Sequence, residues 1–388
     1  MDIKVKKSDL KKAISGSRKA LSKVVIQEER GHLLFDISGP KMIVQGTNND
    51  LKARSIIPIE NVNNEDFSFT ADPKILEKLI TKVDVQDVLI SFDKNDYTLK
   101  VYTTESGKSF STLQSFLPDK MLTFNDSLKM ERKECSINKS ALLFTLNYAS
   151  NFLAPLKEDQ KQYDFVVINK GIAFAANGSN KMGFIVFKTF EKLSDIKIRK
   201  QILPFFTSYI ENMNGSEIVL LETEKDIGVE SIDGTSYFSF LKSTLESPKV
   251  PKEHIISENP YTKIDKNRLL KVMERVIISH TSSLGIGLEL KLTGSEEGAC
   301  LDVNLLAKNK SLETVNCIRV GDSNEEISHV VDYRLFKSIV GSFDTDKEIR
   351  LHINDQSKFF KIYNSGEVDG QKYILAGIGT YAKIVRQS

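Results

Sequence analysis

The feature that most constrains this chain is a threefold internal repeat. Three segments share one pattern at the start of a helix: Val5–Leu10 (VKKSDL), Ile137–Leu142 (INKSAL) and Ile264–Leu269 (IDKNRL). Each sets a β-branched residue, then polar residues able to cap, then a leucine five positions on, and their starts lie 132 and 127 residues apart. A second anchor lies deeper in each unit, at Asp72 (TADPKIL), Leu203 (ILPFF) and Asp332 (VVDYRLF), with spacings of 131 and 129 residues. Two anchors sharing nearly one period mark a repeat, not an irregular succession of elements.

Strand-like runs follow each second anchor, at Val88–Phe92, Glu217–Leu221 and Glu348–Ile353, then at Tyr97–Tyr102, Ile227–Ile232 and Phe359–Tyr363. Each unit closes on a further alternating run, Ser109–Leu113, Thr235–Leu241 or Lys372–Ile378. Turn-forming residues at 93–96, 223–226 and 354–357 separate the first two runs, the signature of antiparallel hairpins. Earlier in the first unit, His32–Ile37 and Lys41–Gln45 flank a Ser-Gly-Pro turn. The fold class is therefore α+β, as three repeated domains with two helices packed on antiparallel sheets in each. Their bounds are set at 1–128, 129–252 and 253–388, with joints near Asp126–Cys135 and Pro248–Tyr261, where Pro, Lys and Glu cluster without periodicity.

Charge gains meaning only when it is read along this repeat. The chain holds 54 Lys and Arg against 52 Asp and Glu, a net charge of +2 that by itself argues against nucleic acid. In the first helix, however, Leu10, Ala13, Ile14, Ser17 and Leu21 form a core-facing stripe, flanked by Lys7, Lys11 and Arg18 and opposed by Lys12, Lys19 and Lys23. The matching helix of the third unit carries Lys266, Arg268, Lys271 and Arg275, and second helices add Lys74, Lys78, Lys82, Arg334 and Lys337. Acids sit in hairpins and linkers instead, as at Glu28–Glu29, Glu60–Asp66 and Glu222–Asp226. Two readings stand: a shared basic face for phosphate backbone, or ordinary solvated helix surface. The middle unit favours the second, since its first helix offers Lys139 alone and its second has Phe205 and Phe206.

Reaction machinery is missing from the sequence. No phosphate-cradling GxxxxGK[ST] loop occurs, and the GxG pieces at Gly285 and Gly377 read as turns. Cys135, Cys300 and Cys317 make neither a disulfide framework nor a zinc pattern, and His280 and His329 are isolated. No catalytic residue, metal or cofactor is assigned. A two-metal nuclease built from scattered carboxylates is the remaining enzymatic reading. No window approaches the roughly 18 apolar residues of a membrane span, and MDIKVKKSDL lacks a signal-peptide core, so a cytoplasmic protein is expected.

The repeat, the opening MDIKVKKSDL, Ile43–Thr47 (IVQGT) leading into Ala53–Ile56 (ARSI), Phe69–Leu76 (FTADPKIL), and Phe110–Leu113 (FSTL) before Leu117-Pro118 together resemble the bacterial-type DNA polymerase sliding clamp, the DNA polymerase III beta subunit family. The resemblance spans essentially the whole chain. It implies a head-to-tail homodimeric ring, with helices lining a hole and continuous sheet forming the rim. It implies a non-enzymatic processivity factor that encircles double-stranded DNA without sequence preference, or else a module of the same fold serving transcription or recombination. Candidate DNA-binding residues are Lys7, Lys11, Lys12, Arg18, Lys19, Lys23, Lys74, Lys78, Lys266, Lys271 and Arg334. The dimer joint falls by position on Lys108 and Phe110 of one copy and Ile277 and Ile278 of the other. A pocket for short apolar peptides of the polymerase and clamp loader maps to Ala176, Gly178, Asn180, Met182, Pro251, Leu335, Ile374, Ala376 and Ile378. Here the chain departs from the family. The Ala176–Met182 loop lacks the usual Asp, His and Arg, and the C-terminus runs on past Ile378. A divergent or phage-encoded clamp with its own replicase would account for both departures. Its place would be the nucleoid, in the host cytoplasm if phage-encoded.

Overall fold

A computed structural model describes residues 1–21, 31–48, 50–103, 109–117, 133–153, 164–178, 180–193, 196–245, 260–278, 286–307, 311–321, 326–343, 347–353 and 358–382. The first pass of the repeat runs β1 (Asp2–Lys6), α1 (Lys7–Ser17), β2 (Leu33–Ser38), β3 (Lys41–Thr47), β4 (Leu51–Pro58), a short β5 (Glu60–Asn61), β6 (Phe67–Ala71), α2 (Pro73–Lys82), β7 (Asp87–Asp93), β8 (Thr98–Tyr102) and β9 (Phe110–Gln114). The second runs β10 (Lys133–Asn138), α3 (Lys139–Ser150), β11 (Phe165–Asn169), β12 (Ile172–Asn177), β13 (Lys181–Phe187), β14 (Ile196–Arg199), α4 (Leu203–Glu211), β15 (Glu217–Glu222), β16 (Asp226–Ser231) and β17 (Ser236–Leu241). The third runs β18 (Tyr261–Asp265), α5 (Lys266–Val276), β19 (Gly287–Thr293), β20 (Ala299–Leu305), β21 (Leu312–Val320), β22 (Ile327–Asp332), α6 (Tyr333–Gly341), β23 (Glu348–His352), β24 (Phe359–Val368) and β25 (Gln371–Thr380). Apart from β5, the order strand, helix, four strands, helix, three strands recurs each time.

The repeat anchors mark helix starts for a physical reason. Asp72 accepts from the backbone amides of Lys74 and Ile75, Asp265 from Arg268 and Asp332 from Leu335. Each is an N-cap worth about 1 kcal/mol. The middle copy, which starts at Leu203, lacks such a side chain and has Pro204 in its first turn instead. In α1, Leu10, Ala13, Ile14 and Ser17 are buried as the periodicity predicts. The α-helix stops at Ser17, however, and a 3-10 turn at Arg18–Ala20 follows, so the expected helix is shorter than its charge pattern.

All described strand pairings are antiparallel, in three sheets. One has the order β5-β1-β7-β8-β9, the second β10-β15-β16-β17-β4-β3-β2-β6, and the third β14-β11-β12-β13-β25-β24-β23-β18-β21-β20-β19-β22. Strands from neighbouring repeats are joined inside a sheet, β17 to β4 and β25 to β13. The chain accordingly divides into two compact units, residues 1–139 with 202–242, and 140–201 with 243–388. The first holds the five- and eight-stranded sheets with α1, α2 and α4; the second holds the twelve-stranded sheet with α3, α5 and α6. The glycines read as a turn at Gly377 and Gly379 lie inside β25. They are required there because a Cβ would stand 2.7 Å from Ile339 at one and 2.3 Å from Phe360 at the other. Among the described residues no helix is long and apolar enough to cross a membrane.

Candidate nucleic-acid interface and docking face

Burying one stripe of α1 forces its neighbours outward, and Lys11 and Lys12 are both exposed. Lys12 Nζ donates to Asn214 Oδ1 at 2.6 Å. Arg18 is exposed but forms an ion pair with Glu77 of α2. Lys19 donates to the Ser208 carbonyl at 3.0 Å and to its hydroxyl at 2.8 Å. Burial holds its pKa below the ordinary lysine value, against the opposing charge of Glu211. On α2, Lys74, Lys78 and Lys82 are exposed, and their ammonium groups have no partner among the described residues. Lys23 lies outside the described residues.

Three lysines in one column of the repeat do a different job. Lys7, Lys139 and Lys266 each open the first helix of their repeat and reach carbonyls at the C-terminal end of the second. Lys7 Nζ donates to Thr81 O at 3.3 Å and to Val83 O. Lys139 Nζ donates to Glu211 O at 3.0 Å and Met213 O at 2.6 Å, and Lys266 Nζ to Phe343 O at 2.6 Å. Carbonyls at a helix C-terminus lack intrahelical donors and carry partial negative charge, so an ammonium satisfies both deficits. Lys266 is only 6% exposed, so its charge is turned into the fold. For Lys139, burial and then the charge of Lys12 lower the pKa.

In the third repeat, Arg268 and Lys271 of α5 and Arg334 of α6 face solvent. Arg275 pairs with Glu313, and Lys337 with Glu274 at 2.9 Å. The exposed positions of α3 and α4 are Asn147, Ser150, Pro204 and Glu211, none of them basic. Positive helix surface thus belongs to the first and third repeats. Among the described residues, no group of three His, Cys, Asp or Glu is placed to hold a metal ion. His329 is stacked on Tyr381 with ring centroids 3.9 Å apart.

A second surface lies in the unit of residues 140–201 and 243–388, on the sheet face that alternation turns away from Gly377 and Gly379. Cross-strand neighbours there form rows. One runs Ala176, Met182, Ile378, Lys361, His352; the next runs Phe174, Phe184, Ala376, Tyr363, Arg350, Lys263. A third runs Ile172, Val186, Ile374, Ser365. Ala176, Met182, Ala376 and Ile378 therefore meet in one apolar cluster, with Phe174, Phe184 and Tyr363 as members the sequence motifs did not single out. Their signal was the near-continuous apolar run of β12 and of β13. Ile374 remains 37% exposed beside a cleft of 580 Å³ that Val186, Lys188, Glu367 and Lys372 also line. Gly178, at φ +59°, shapes the β12–β13 turn, and Asn180 accepts from the Thr380 amide at 3.2 Å. Leu335 is not part of the cluster: it sits on α6, which packs on the other face of β25. Pro251 lies outside the described residues.

Two strand edges complete the picture. β4 and β13 each receive a strand from the following repeat, whereas their third-repeat counterpart β21 has no such neighbour along Leu312–Cys317 among the described residues, and neither does β9. β9 leaves Phe110 50% exposed, β21 leaves Leu312 61% exposed, and Ile278 after α5 is 78% exposed. Ile277 is half-buried, and Lys108 lies outside the described residues.

No protein-family model matches the sequence, and no curated protein matches it. Solved structures do. DNA polymerase III subunit beta from Pseudomonas aeruginosa is 13% identical with a TM-score of 0.77, over 99% of this chain and 100% of that one. The DNA polymerase sliding clamp from Bacillus subtilis is 14% identical with a TM-score of 0.75, over 99% of both chains. That from Caulobacter crescentus is 13% identical with a TM-score of 0.73, over 99% of this chain and 100% of that one. With three passes of one helix-and-sheet unit and full-length correspondence to these structures, the chain has the fold of the bacterial DNA polymerase sliding clamps.

Proposed function

We propose that this chain is a DNA sliding clamp, a non-enzymatic processivity factor that tethers a replicative polymerase to double-stranded DNA. The observation that carries this reading is the full-length likeness to clamp structures, combined with exposed basic residues on the repeated helices. Three domains, 1–128, 129–252 and 253–388, would double to six in a homodimer closed head to tail. β9 of each copy would pair with β21 of the other, with Phe110 and Leu312 at the joint, so that both open edges are covered. Lys11, Lys12, Lys74, Lys78, Lys271, Arg268 and Arg334 are the groups best placed to attract phosphate, since Lys7 and Lys266 cap helix ends. Ile374 and the cleft beside it, at the edge of the buried apolar cluster of Met182, Ala376 and Ile378, would take short peptides of the polymerase and clamp loader. Its place of action would be the nucleoid, or the host cytoplasm for a phage-encoded form.

Retention on nicked circular DNA, and release once that DNA is linearised, tests the topological reading; equal retention on both forms overturns it. Replacing Lys11, Lys74 and Lys78 together by alanine should lower the slope of log affinity against log salt by about 2–3, near 0.9 for each phosphate contact. Lys266→Met should leave that slope unchanged. A triple variant with the parent slope would remove the charge assignment.

A further inference from the structure

Two joints between repeats are filled inside the chain, and they carry the register of the one left open. Helix positions pass from repeat to repeat through their buried residues. Leu10, Ala13, Ile14 and Ser17 of α1 correspond in order and spacing to Leu269, Val272, Met273 and Val276 of α5. Leu76 and Ile80 of α2 correspond likewise to Phe206 and Ile210 of α4. In the first filled joint, Lys12 of α1 donates to Asn214 Oδ1, just past α4, at 2.6 Å. The counterpart of Lys12 is Lys271 and that of Asn214 is Asp84, so an ammonium–amide contact becomes an ammonium–carboxylate one. Both are exposed, and neither has a partner among the described residues. Arg275, which stands where α1 has Gly16, is turned to Glu313 instead.

The ladders carry strand positions in the same way. The amide that opens each first helix bonds Gln86 O in the first repeat and Ser216 O in the second, which matches Ile90 with Leu220. Their cross-strand neighbours then match Val101 with Val229 and Ser111 with Phe238, and so Phe110 with Tyr237. Starting from the caps Asp72 and Asp332, Leu33 matches Leu288, Gln45 matches Asn304, and Arg54 matches Leu312. Tyr237 faces Arg54 in the first filled joint, with the guanidinium 5.6 Å from the ring centre. Phe184 faces Ala376 at the same place in the second. On the open edges that place belongs to Phe110 and Leu312, both exposed.

We propose that the joint between two copies repeats the register of the joints inside one, setting Phe110 directly opposite the partner's Leu312 and Lys271 beside the partner's Asp84. The inference rests on the reading of the chain as a head-to-tail homodimer and adds the residues that fix its register. The occupant is a second copy because each open edge is the counterpart of an edge that a neighbouring repeat already covers. Residues directly opposed in an antiparallel pair have Cβ atoms roughly 5 Å apart, so Phe110 and Leu312 bury each other's exposed faces. A slip of one residue would turn one of the two to the other side of the sheet. The ion pair adds direction, since a contact between like faces would set lysine against lysine.

Sedimentation velocity over a dilution series of the full chain tests the ion pair. Lys271→Glu and Asp84→Lys should each raise the dimer dissociation constant by about tenfold or more, because each sets like charges together. The two combined should return it to within about threefold of the parent. Both positions are exposed, so the variants fold as the parent does. Disulfide trapping tests the register. Under mild oxidation, Phe110→Cys with Leu312→Cys should yield a covalent dimer above the background of the parent's own cysteines. Ser111→Cys with Leu312→Cys, one residue out of register, should not. A parent that stays monomeric at tens of micromolar would overturn the homodimer and this joint with it. A dimeric parent whose single reversals change nothing, or whose double reversal recovers nothing, would leave the homodimer standing and overturn the ion pair. Equal trapping of both cysteine pairs would overturn the register.

Discussion

The two places where strands of neighbouring repeats are stitched together solve one backbone problem with opposite chemistry. At β4·β17, the sheet face turned from the helices carries Lys52, Arg54, Glu230, Tyr237 and Ser239. Lys52 reaches Asp226 at 2.7 Å and Arg54 reaches Glu230 at 3.0 Å, with the Arg54 guanidinium 5.6 Å from the Tyr237 ring centre. Gln45 and Ser68 extend the network by donating to Asp36. At β13·β25, the corresponding face carries Met182, Phe184, Val186, Ile374, Ala376 and Ile378. Ladder hydrogen bonds hold both seams, so the side chains on this face are free to differ. The ionic seam pairs its charges with one another and offers little apolar surface to a visitor. The apolar seam buries Phe184, Ala376 and Ile378 but leaves Ile374 partly exposed beside a cleft, which is why we propose docking at one seam and not the other.

The sharpest way to break this contrast is at Asp226, whose side chain is 3% exposed beside Lys52. Asp226→Ala removes one member of a buried pair and should destabilise the chain by about 3 kcal/mol in denaturant unfolding. Combining Lys52→Met with Asp226→Leu should recover most of that loss, because an apolar pair avoids the desolvation of both charges. A cost below about 1 kcal/mol for the single variant would mean that the ionic seam is solvated and that the two seams differ less than their residues suggest.

How far the sequence carried is itself uneven across these seams. The repeat was legible because its anchors are local signals: Asp72 and Asp332 cap the helices they precede, and alternation marks each hairpin. Which strands meet across repeats was not legible, since β4 finds β17 across nearly 200 residues of chain with no local motif to announce it. Gly377 and Gly379 misled for the same reason; a GxG looks alike whether it makes a turn or admits Ile339 and Phe360. Lys266 misled because lysine is ordinarily exposed, and only the Phe343 carbonyl explains its burial. Part of the charge pattern was therefore exposed helix surface, and part was lysines that satisfy helix ends.

The apolar seam also holds a buried cation, and it gives a pH test. Lys181 is 7% exposed on the helix side of β13, donating to Ser338 Oγ at 2.6 Å, with Nζ 4.8 Å from the centre of the Phe152 ring. Burial pushes its pKa down to about 8. The folded chain thus releases this proton near pH 8, whereas the unfolded chain holds it to about pH 10.4. Between those values the unfolded state binds more protons, so stability rises with pH through the window, and the penalty is present in full below pH 8. Lys181→Met should flatten this dependence and raise the melting temperature below pH 8 by a few degrees. Comparing the parent and variant isolates the lysine from tyrosines titrating higher. An unchanged pH profile would show that Lys181 keeps its charge inside the seam.

The smallest expected effect on stability should accompany a large effect on binding. Ile374 lies on the outer row of β25 and is 37% exposed, so truncation to alanine forfeits only part of a side chain's burial, about 1 kcal/mol or less in unfolding. Its neighbour Val186 and the adjoining cleft remain in place. If this surface is where partners anchor, Ile374→Ala should weaken binding of an apolar peptide by about tenfold or more, as removal of a central anchor does. Ser239→Ala, on the outer face of the ionic seam, should leave that binding unchanged. A loss of stability without a loss of binding would make the apolar seam packing only, and the distinction between the two joints would then be one of composition without function.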